Sequence, residues 1–190
     1  MKKIVLITAA CLIMHAIWAQ EESPVDMETS KNLTKEERKQ QRLAEEAAYA
    51  RMVEWMVYNR QFVLEANYLS NTPYNKTIVD SRLNFIKVDS AQITIQLASS
   101  TGVGGLNGMG GLTTDGNISI YNLNRTGKKK DFFTLRISSM TSISAFDIFF
   151  TIYPSGNANA TISGYSGTKL HYEGKIVPVN RARIYKAMSL

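Results

Sequence analysis

The sequence predicts a mainly β protein, an antiparallel up-and-down meander of about eight strands closing into a barrel behind one N-terminal α-helix. Three observations carry that prediction. From Gln61 onward, apolar residues recur at every second position in a series of short runs. Turn-forming residues stand between the runs: Asn71-Thr72-Pro73, Asp89-Ser90, Gly127-Lys128, Pro154-Ser155-Gly156 and Ser166-Gly167. Helical spacing is confined to one segment ahead of them all. An open meander of that length exposes two long edges, whereas closure removes them. A two-sheet β-sandwich is the alternative arrangement of the same strands.

At the start, Lys2 and Lys3 precede an apolar run, Ile4 to Trp18, and the small residue Ala19 precedes the polar "QEESPVD". That is the layout of a signal peptide, residues 1–19, with cleavage near Ala19 or Gln20. The run falls short of the about 20 apolar residues of a spanning helix. The expectation is therefore an exported protein, periplasmic, extracellular or associated with the outer membrane, with no transmembrane helix in the mature chain. Cys11 sits in "LITAAC", a poor lipidation motif, and is removed with the signal. A mature chain without cysteine excludes disulfides, thiolate catalysis and Cys-ligated metals.

Residues 20–34, "QEESPVDMETSKNLT", read as a flexible leader. A single domain, 35–190, follows: a helix over about 35–59, a barrel over about 61–178, and a C-terminal tail. Thr34 with Glu37 forms a capping-box pair that starts the helix at Lys35. Its first half, "KEERKQQRLAEE", is charged on nearly every side and belongs in water. In its second half Tyr49, Met52, Val53 and Met56 share one face, with Ala48 and Trp55 beside them.

The predicted strands are "FVLEANYL" (62–69), "LNFIKV" (83–88), "QITIQLA" (92–98), "NISIYNL" (117–123), "DFFTLRIS" (131–138), "AFDIFFTIY" (145–153), "NATISGY" (159–165) and "KLHYEGKIV" (169–177). The two-residue Asp89-Ser90 link suits a tight hairpin, and Lys128 to Lys130 an exposed hairpin tip. Alternation places Ile93, Ile95 and Leu97 on one face, likewise Ile118 with Ile120, and Phe133, Leu135 and Ile137, then Phe146, Ile148, Phe150 and Ile152, then Leu170, Tyr172 and Ile176. The opposite faces carry Thr94, Gln96, Arg136, Asp147, Glu173 and Lys175. A lipocalin-like (calycin-like) barrel of this size holds packed side chains or one small ligand.

Catalytic chemistry is sparse. The mature chain has one histidine, His171, placed by alternation on a polar face, which removes the common zinc and Ser/His or Cys/His arrangements. The strand region holds seven acids, Glu65, Asp80, Asp89, Asp115, Asp131, Asp147 and Glu173, most of them beside turns. Asp147 is mid-strand, where a solvated pair with Arg136 or Lys175 accounts for it. No catalytic residue, metal ligand or cofactor is assigned, and the protein is read as non-enzymatic. An exported hydrolase, a weaker reading, would need a cleft gathering two of those acids. Residues 61–190 carry thirteen bases against seven acids, a formal +6 that suits anionic envelope surfaces or glycans, or is simply a solvated basic surface. Nucleic acid is not expected, because aromatic–basic interleaving is missing.

The segment "GVGGLNGMGGLT", residues 102–113, is the least ordinary stretch. It is not a dinucleotide or phosphate loop: Asn107 stands where a third glycine is required, no lysine is near, and a strand follows instead of a helix. What remains is a long loop whose Val103, Leu106, Met109 and Leu112 recur every third residue. Leaving four apolar side chains in water forfeits up to about 1.5–3 kcal/mol for each large one, so the loop should lie on the body. Its glycines permit close approach and positive φ. Val103, Leu106, Asn107, Met109 and Leu112 are the candidate ligand- or partner-binding residues, either completing the core at a barrel mouth or forming a movable lid.

With "LNFIKVDSAQITIQL", "NGMGGLTTDGNISIYNL", "FDIFFTIYPSGNANATI" and "LHYEGKIVPV" in view, the chain resembles, over roughly residues 40–185, an exported bacterial family of the Bacteroides kind, domain-of-unknown-function family number 4251. The resemblance implies a lipocalin-like barrel and assigns no activity. The function expected is binding of a small apolar or amphipathic ligand, with a structural or protein-interaction role in the cell envelope as the alternative.

Overall fold

In the computed structural model, which describes residues 34–71, 75–98, 110–127, 131–164 and 169–190, helix α1 spans Lys35–Asn59. The signal peptide and the leader up to Leu33 lie outside the described residues. So do Thr72-Pro73, the triplet Lys128 to Lys130, and Ser166-Gly167. The chain divides into two units between Gln40 and Gln41. In the first, the capping box closes α1: the Thr34 backbone N–H donates to Glu37 Oε2 (2.8 Å) and that of Glu37 to Thr34 Oγ1 (3.3 Å). The Thr34 hydrogen bonds hold the Glu37 carboxyl below the usual carboxylate range.

Within the second unit α1 continues, exposed as far as Ala48. Val53, Met56 and Val57 are buried, with Tyr49 and Met52 packed half-buried on the same core. At 100° per residue these five share one side. Trp55 falls off it and is 52% exposed. Arg60, at φ 55°, turns the chain out of the helix into the sheet.

One antiparallel sheet follows: β1 (Gln61–Ser70), β2 (Thr77–Ile78), β3 (Phe85–Asp89), β4 (Gln92–Leu97), β5 (Leu112–Thr126), β6 (Phe132–Thr141), β7 (Ala145–Ile152), β8 (Asn157–Gly164) and β9 (Lys169–Val177). β1 pairs with β3 on one side and with β9 on the other, so eight strands close a barrel. β2 is an extra strand on the far end of β1. Inward positions follow the period-two stripes: Phe62 and Leu64, Ile93 and Ile95, Leu135 and Ile137, Ile148 and Phe150, Tyr172 and Ile176 join α1 in one buried core. Phe62 meets Phe150 edge to face at 5.7 Å across the interior. The helix covers one end of the barrel. Tyr49 Oη donates to the Ile176 carbonyl (3.0 Å) and Tyr121 Oη to that of Val57 (2.5 Å).

The strands depart from the sequence expectation in several places. β2 was not expected, and a register shift between Ile118 and Ile120 keeps Ile118 on the core and turns Ile120 outward, 40% exposed. β5 begins at Leu112 and runs for 15 residues, because Leu112 and Thr113 already pair with Leu97 and Gln96. The hairpin between β3 and β4 turns on Ser90 and Ala91 instead of Asp89-Ser90, since Asp89 pairs with Gln92 and Ser90 takes φ 58°. Thr94 and Gln96, expected on a solvated face, are buried.

The cover over them is the C-terminal segment, which follows a 3-10 turn at Val179–Arg181. Gln96 Nε2 donates to the carbonyls of Leu83 (3.0 Å) and Tyr185 (2.9 Å), and its Oε1 accepts from the Ala187 N–H (2.8 Å) and Thr113 Oγ1 (3.0 Å). Lys186 Nζ and Ser189 Oγ each donate to Asp115 at 2.6 Å, and Leu190 N to the Thr113 carbonyl at 3.2 Å. Phe85, alternating outward from Ile86, is fully buried in this layer.

Candidate binding site

The two ends of the barrel differ. Under α1 the inward side chains meet Val53, Met56 and Val57 of the helix, with Tyr121 and Leu123 half-buried beside them. At the opposite end Leu97, Ile118, Phe146 and Leu170 pack on the core yet stay only partly buried. Leu112, directly across from Leu97, is also half-buried. Among the described residues, these half-buried apolar side chains of β4, β5, β7 and β9 mark the mouth, between strand ends joined by residues 99–109 and 165–168, which lie outside the described residues.

Two hydroxyls break that apolar lining. Thr114 stands across from Ile95, and Ser139 lies between Ile118 and Phe146 on neighbouring strands. Both residues are buried, at 0% and 3% exposure, and neither Thr114 Oγ1 nor Ser139 Oγ has a hydrogen-bond partner among the described residues. An unpaired buried hydroxyl costs about 1–3 kcal/mol, and these two lie on neighbouring strands β5 and β6. Elsewhere the interior polar groups are paired: Tyr172 Oη donates to the Gln96 carbonyl at 3.0 Å, and burial pushes its phenol well above the usual range. Tyr121, also raised by burial with Arg60 opposing, is held by Val57.

Of the sequence-derived candidates, Leu112 belongs to this mouth, as the first residue of β5. Val103, Leu106, Asn107 and Met109 lie outside the described residues. At the described end of their segment Gly110 takes φ 74°. A Cβ on Gly111 would lie 1.9 Å from the Leu97 carbonyl oxygen. There the glycines do what was expected of them, supplying a positive φ and pressing the chain onto β4. Thr114 and Ser139 were missed. Ser139 was within reach, because it continues the Phe133, Leu135, Ile137 stripe by two residues.

A second concavity lies on the outside, over β8, β9 and β1. It has a volume of about 790 Å³, bounded by Asn67, Tyr68, Asp131, Tyr153, Asn157 and Glu173. It adjoins one of about 290 Å³ lined by Lys76, Thr161 and His171. His171 lies on the outer face as alternation placed it, half-buried, its Nδ1 2.9 Å from Thr161 Oγ1.

This groove gathers two of the seven acids, Asp131 and Glu173. The others have local partners. Asp80 pairs with Arg82 (2.6 Å), whose hydrogen bonds hold its carboxyl down at about 2, and Asp89 pairs with Lys87 at 2.9 Å. Asp147 accepts from Ser138 (2.5 Å) and Arg136 (3.4 Å). The Ser138 bond, against some burial and with Arg136 adding, lowers its carboxyl. Glu65 accepts the Arg183 N–H at 2.8 Å, and Glu173 itself is ion-paired with Lys76. Among the described residues, no three of His, Cys, Asp and Glu gather as a metal would require.

No helix among the described residues is long and apolar enough to cross a membrane. Among the described residues the core-facing side chains of the barrel are mainly apolar, while its outer face mixes polar residues with exposed Ile120, Met140 and Phe149.

Comparison with known proteins agrees with this architecture. Curated proteins give no match to the chain. Among solved structures, the chain is similar to the crystal structure of a DUF4251 family protein from Bacteroides eggerthii DSM 20697, at 1.95 Å resolution. The TM-score is 0.61 and the identity 28%, over 73% of this chain and 93% of that one. The sequence model of the family described as "Domain of unknown function (DUF4251)" matches residues 44–176. An eight-stranded barrel capped by one helix, matched along most of its length, places the chain in the DUF4251 family.

Proposed function

We propose that the protein is a non-enzymatic module, exported by its N-terminal signal, that binds a small amphipathic ligand at the end of the barrel opposite α1. The observation that carries this reading is the pair of buried hydroxyls, Thr114 Oγ1 and Ser139 Oγ, unpartnered among the described residues, on the strands that carry Leu97, Leu112, Ile118, Phe146 and Leu170 or beside them. A mostly apolar concavity with a few placed polar groups is the usual form of a small-molecule site. The deeper interior is occupied by its own side chains, so the ligand is one that enters the mouth. A hydrolase is disfavoured because a proton-donating carboxyl is made by burial in apolar surroundings. Asp131 is exposed and Glu173 is ion-paired near the surface.

The test is a pair of near-isosteric substitutions, Thr114→Val and Ser139→Ala, with 8-anilinonaphthalene-1-sulfonate and decanoate as amphipathic probes. Removing an unpaired hydroxyl should raise the unfolding free energy by about 1 kcal/mol or more. It should also weaken probe binding and native co-purification of ligand, read by mass spectrometry. Stabilised variants that bind as before would overturn the reading.

A second reading, a protein-interaction role in the cell envelope, is favoured by the exposure of α1 as far as Ala48. Crosslinking in cells from a probe at Gln41 decides it; absence of a reproducible partner counts against it.

A further inference from the structure

We infer that the groove on the outer face of β1, β9 and β8 is a separate binding site for a neutral oligosaccharide. It stands on observations independent of the mouth. The register sets outward side chains in rungs: Tyr68 beside Glu173 beside Asn159, and next to it Ser70 beside His171 beside Thr161. With strands about 4.8 Å apart, neighbours within a rung are close enough to act on one ligand.

The first rung exists because of an irregularity. β1 shifts register between Ala66 and Tyr68. Strict alternation from the inward Ala66 would send Tyr68 into the core. The extra residue, Asn67, turns Tyr68 outward and returns Leu69 to the interior. The result is a tyrosine 39% exposed on β1, in a groove that a second tyrosine, Tyr153, 42% exposed just after the end of β7, also lines. Tyr153 is held by Phe132, ring centroids 5.9 Å apart.

Chemistry then selects the ligand. Tyrosine rings offer flat apolar faces, which suit the C–H faces of a sugar ring. Asn67, Asn157 and Asn159 carry amides that both donate and accept, and Thr161 a hydroxyl that does the same, matching ligand hydroxyls that also do both. Charge argues against an anionic ligand, because the described cations of the face are already engaged with an acid or an aromatic ring, while Asp131 stays exposed. Lys76 pairs with Glu173, Glu65 holds the Arg183 N–H, and Lys175 lies 4.4 Å over the Tyr49 ring. Among the described residues of the groove, a phosphate or carboxylate would find no cation reserved for it. The groove is open along its length, which suits a chain of rings and not a lipid, whose tail needs enclosure.

The experiment titrates the full chain, by calorimetry and by affinity electrophoresis, with neutral hexasaccharides (cellohexaose, maltohexaose, mannohexaose). Oligogalacturonate and adenosine monophosphate serve as charged controls. At least one neutral hexasaccharide binds, and Tyr68→Ala or Tyr153→Ala weakens it about tenfold or more, while Tyr68→Phe and Thr114→Val leave it in place. Both tyrosines are exposed, so unchanged circular dichroism and Tm in these variants establish that the fold is intact. Failure of every neutral hexasaccharide, binding indifferent to both alanine variants, or binding of the charged controls alone would overturn the inference. Probe binding at the mouth is read separately and is unmoved by Tyr68→Ala, so either site can fail without the other.

Discussion

Asp115 shows how much one side chain can decide here. Its carboxylate accepts from Thr94, Lys186 and Ser189, all at 2.6 Å, and so joins β4 and β5 to the end of the chain. Burial alone would raise its pKa, but the three hydrogen bonds together outweigh it and hold the carboxyl below the usual range. A lowered folded pKa adds stability above the unfolded value, about 3.9, and that contribution disappears as pH falls through the folded value. The C-terminal segment should therefore loosen below about pH 4. Asp115→Asn should flatten that part of the pH–stability curve and cost about 1 kcal/mol at neutral pH, measured by urea unfolding across pH. Gly174 is a residue of the opposite kind, needed for what it lacks. A Cβ there would lie 2.0 Å from the Glu65 carbonyl oxygen, in the strand pair that closes the barrel. Gly174→Ala should cost about 3 kcal/mol by the same measurement, as overpacking against backbone cannot be relieved by a rotamer change. Neither role was legible in the sequence, since Asp115 beside Gly116 reads as an ordinary turn residue and Gly174 as a weak point in a strand.

Among the elements, the C-terminal segment is the one that sequence patterning left unread. It has no periodicity, because its partners are side chains and backbone on the outside of β3, β4 and β5 and not a facing layer of its own. The signal for it lay in the strands instead: Phe85 and Gln96 sit at outward positions, and a phenylalanine there asks for a cover. Deleting residues 183–190 should expose Phe85, worth about 1.5–3 kcal/mol, and remove several hydrogen bonds of about 1 kcal/mol each. A loss of about 3–5 kcal/mol is a large part of the about 5–15 typical of a domain. Thermal and urea unfolding of the truncated chain check it; unchanged stability would reduce the segment to decoration. The strands themselves were legible because one face of each is buried, so the apolar period of two survives. β5 was cut short for the complementary reason, as its first residues, Leu112 to Gly116, put threonine where an apolar residue would have extended the stripe. Those polar inward positions are what now single out the mouth.

At the scale of the whole molecule, closure is the property that decides between a barrel and a sandwich of the same strands. The sequence argued for closure only indirectly, through the two edges that an open meander would leave. The outer groove was invisible to it, because that face is composed by register across β1, β9 and β8, and the bulge at Asn67 that turns Tyr68 outward leaves no trace in alternation until the pairing is known. Closure itself makes a measurable difference. β1 and β9 are hydrogen-bonded to each other from Val63↔Val177 to Ser70↔His171. In an open sheet both would be edge strands, with one side of each fraying into solvent and exchanging through local openings. In the closed barrel their amides are held like those of β6 and β7, and exchange only when the structure opens as a whole. Native-state hydrogen exchange should therefore give β1 and β9 opening free energies equal to those of β6 and β7, and falling in parallel with them as urea is added. Markedly faster exchange confined to β1 and β9 would mean that the seam opens on its own, and with it the mouth at Leu97 and Leu112 and the outer groove at Tyr68 would be transient sites.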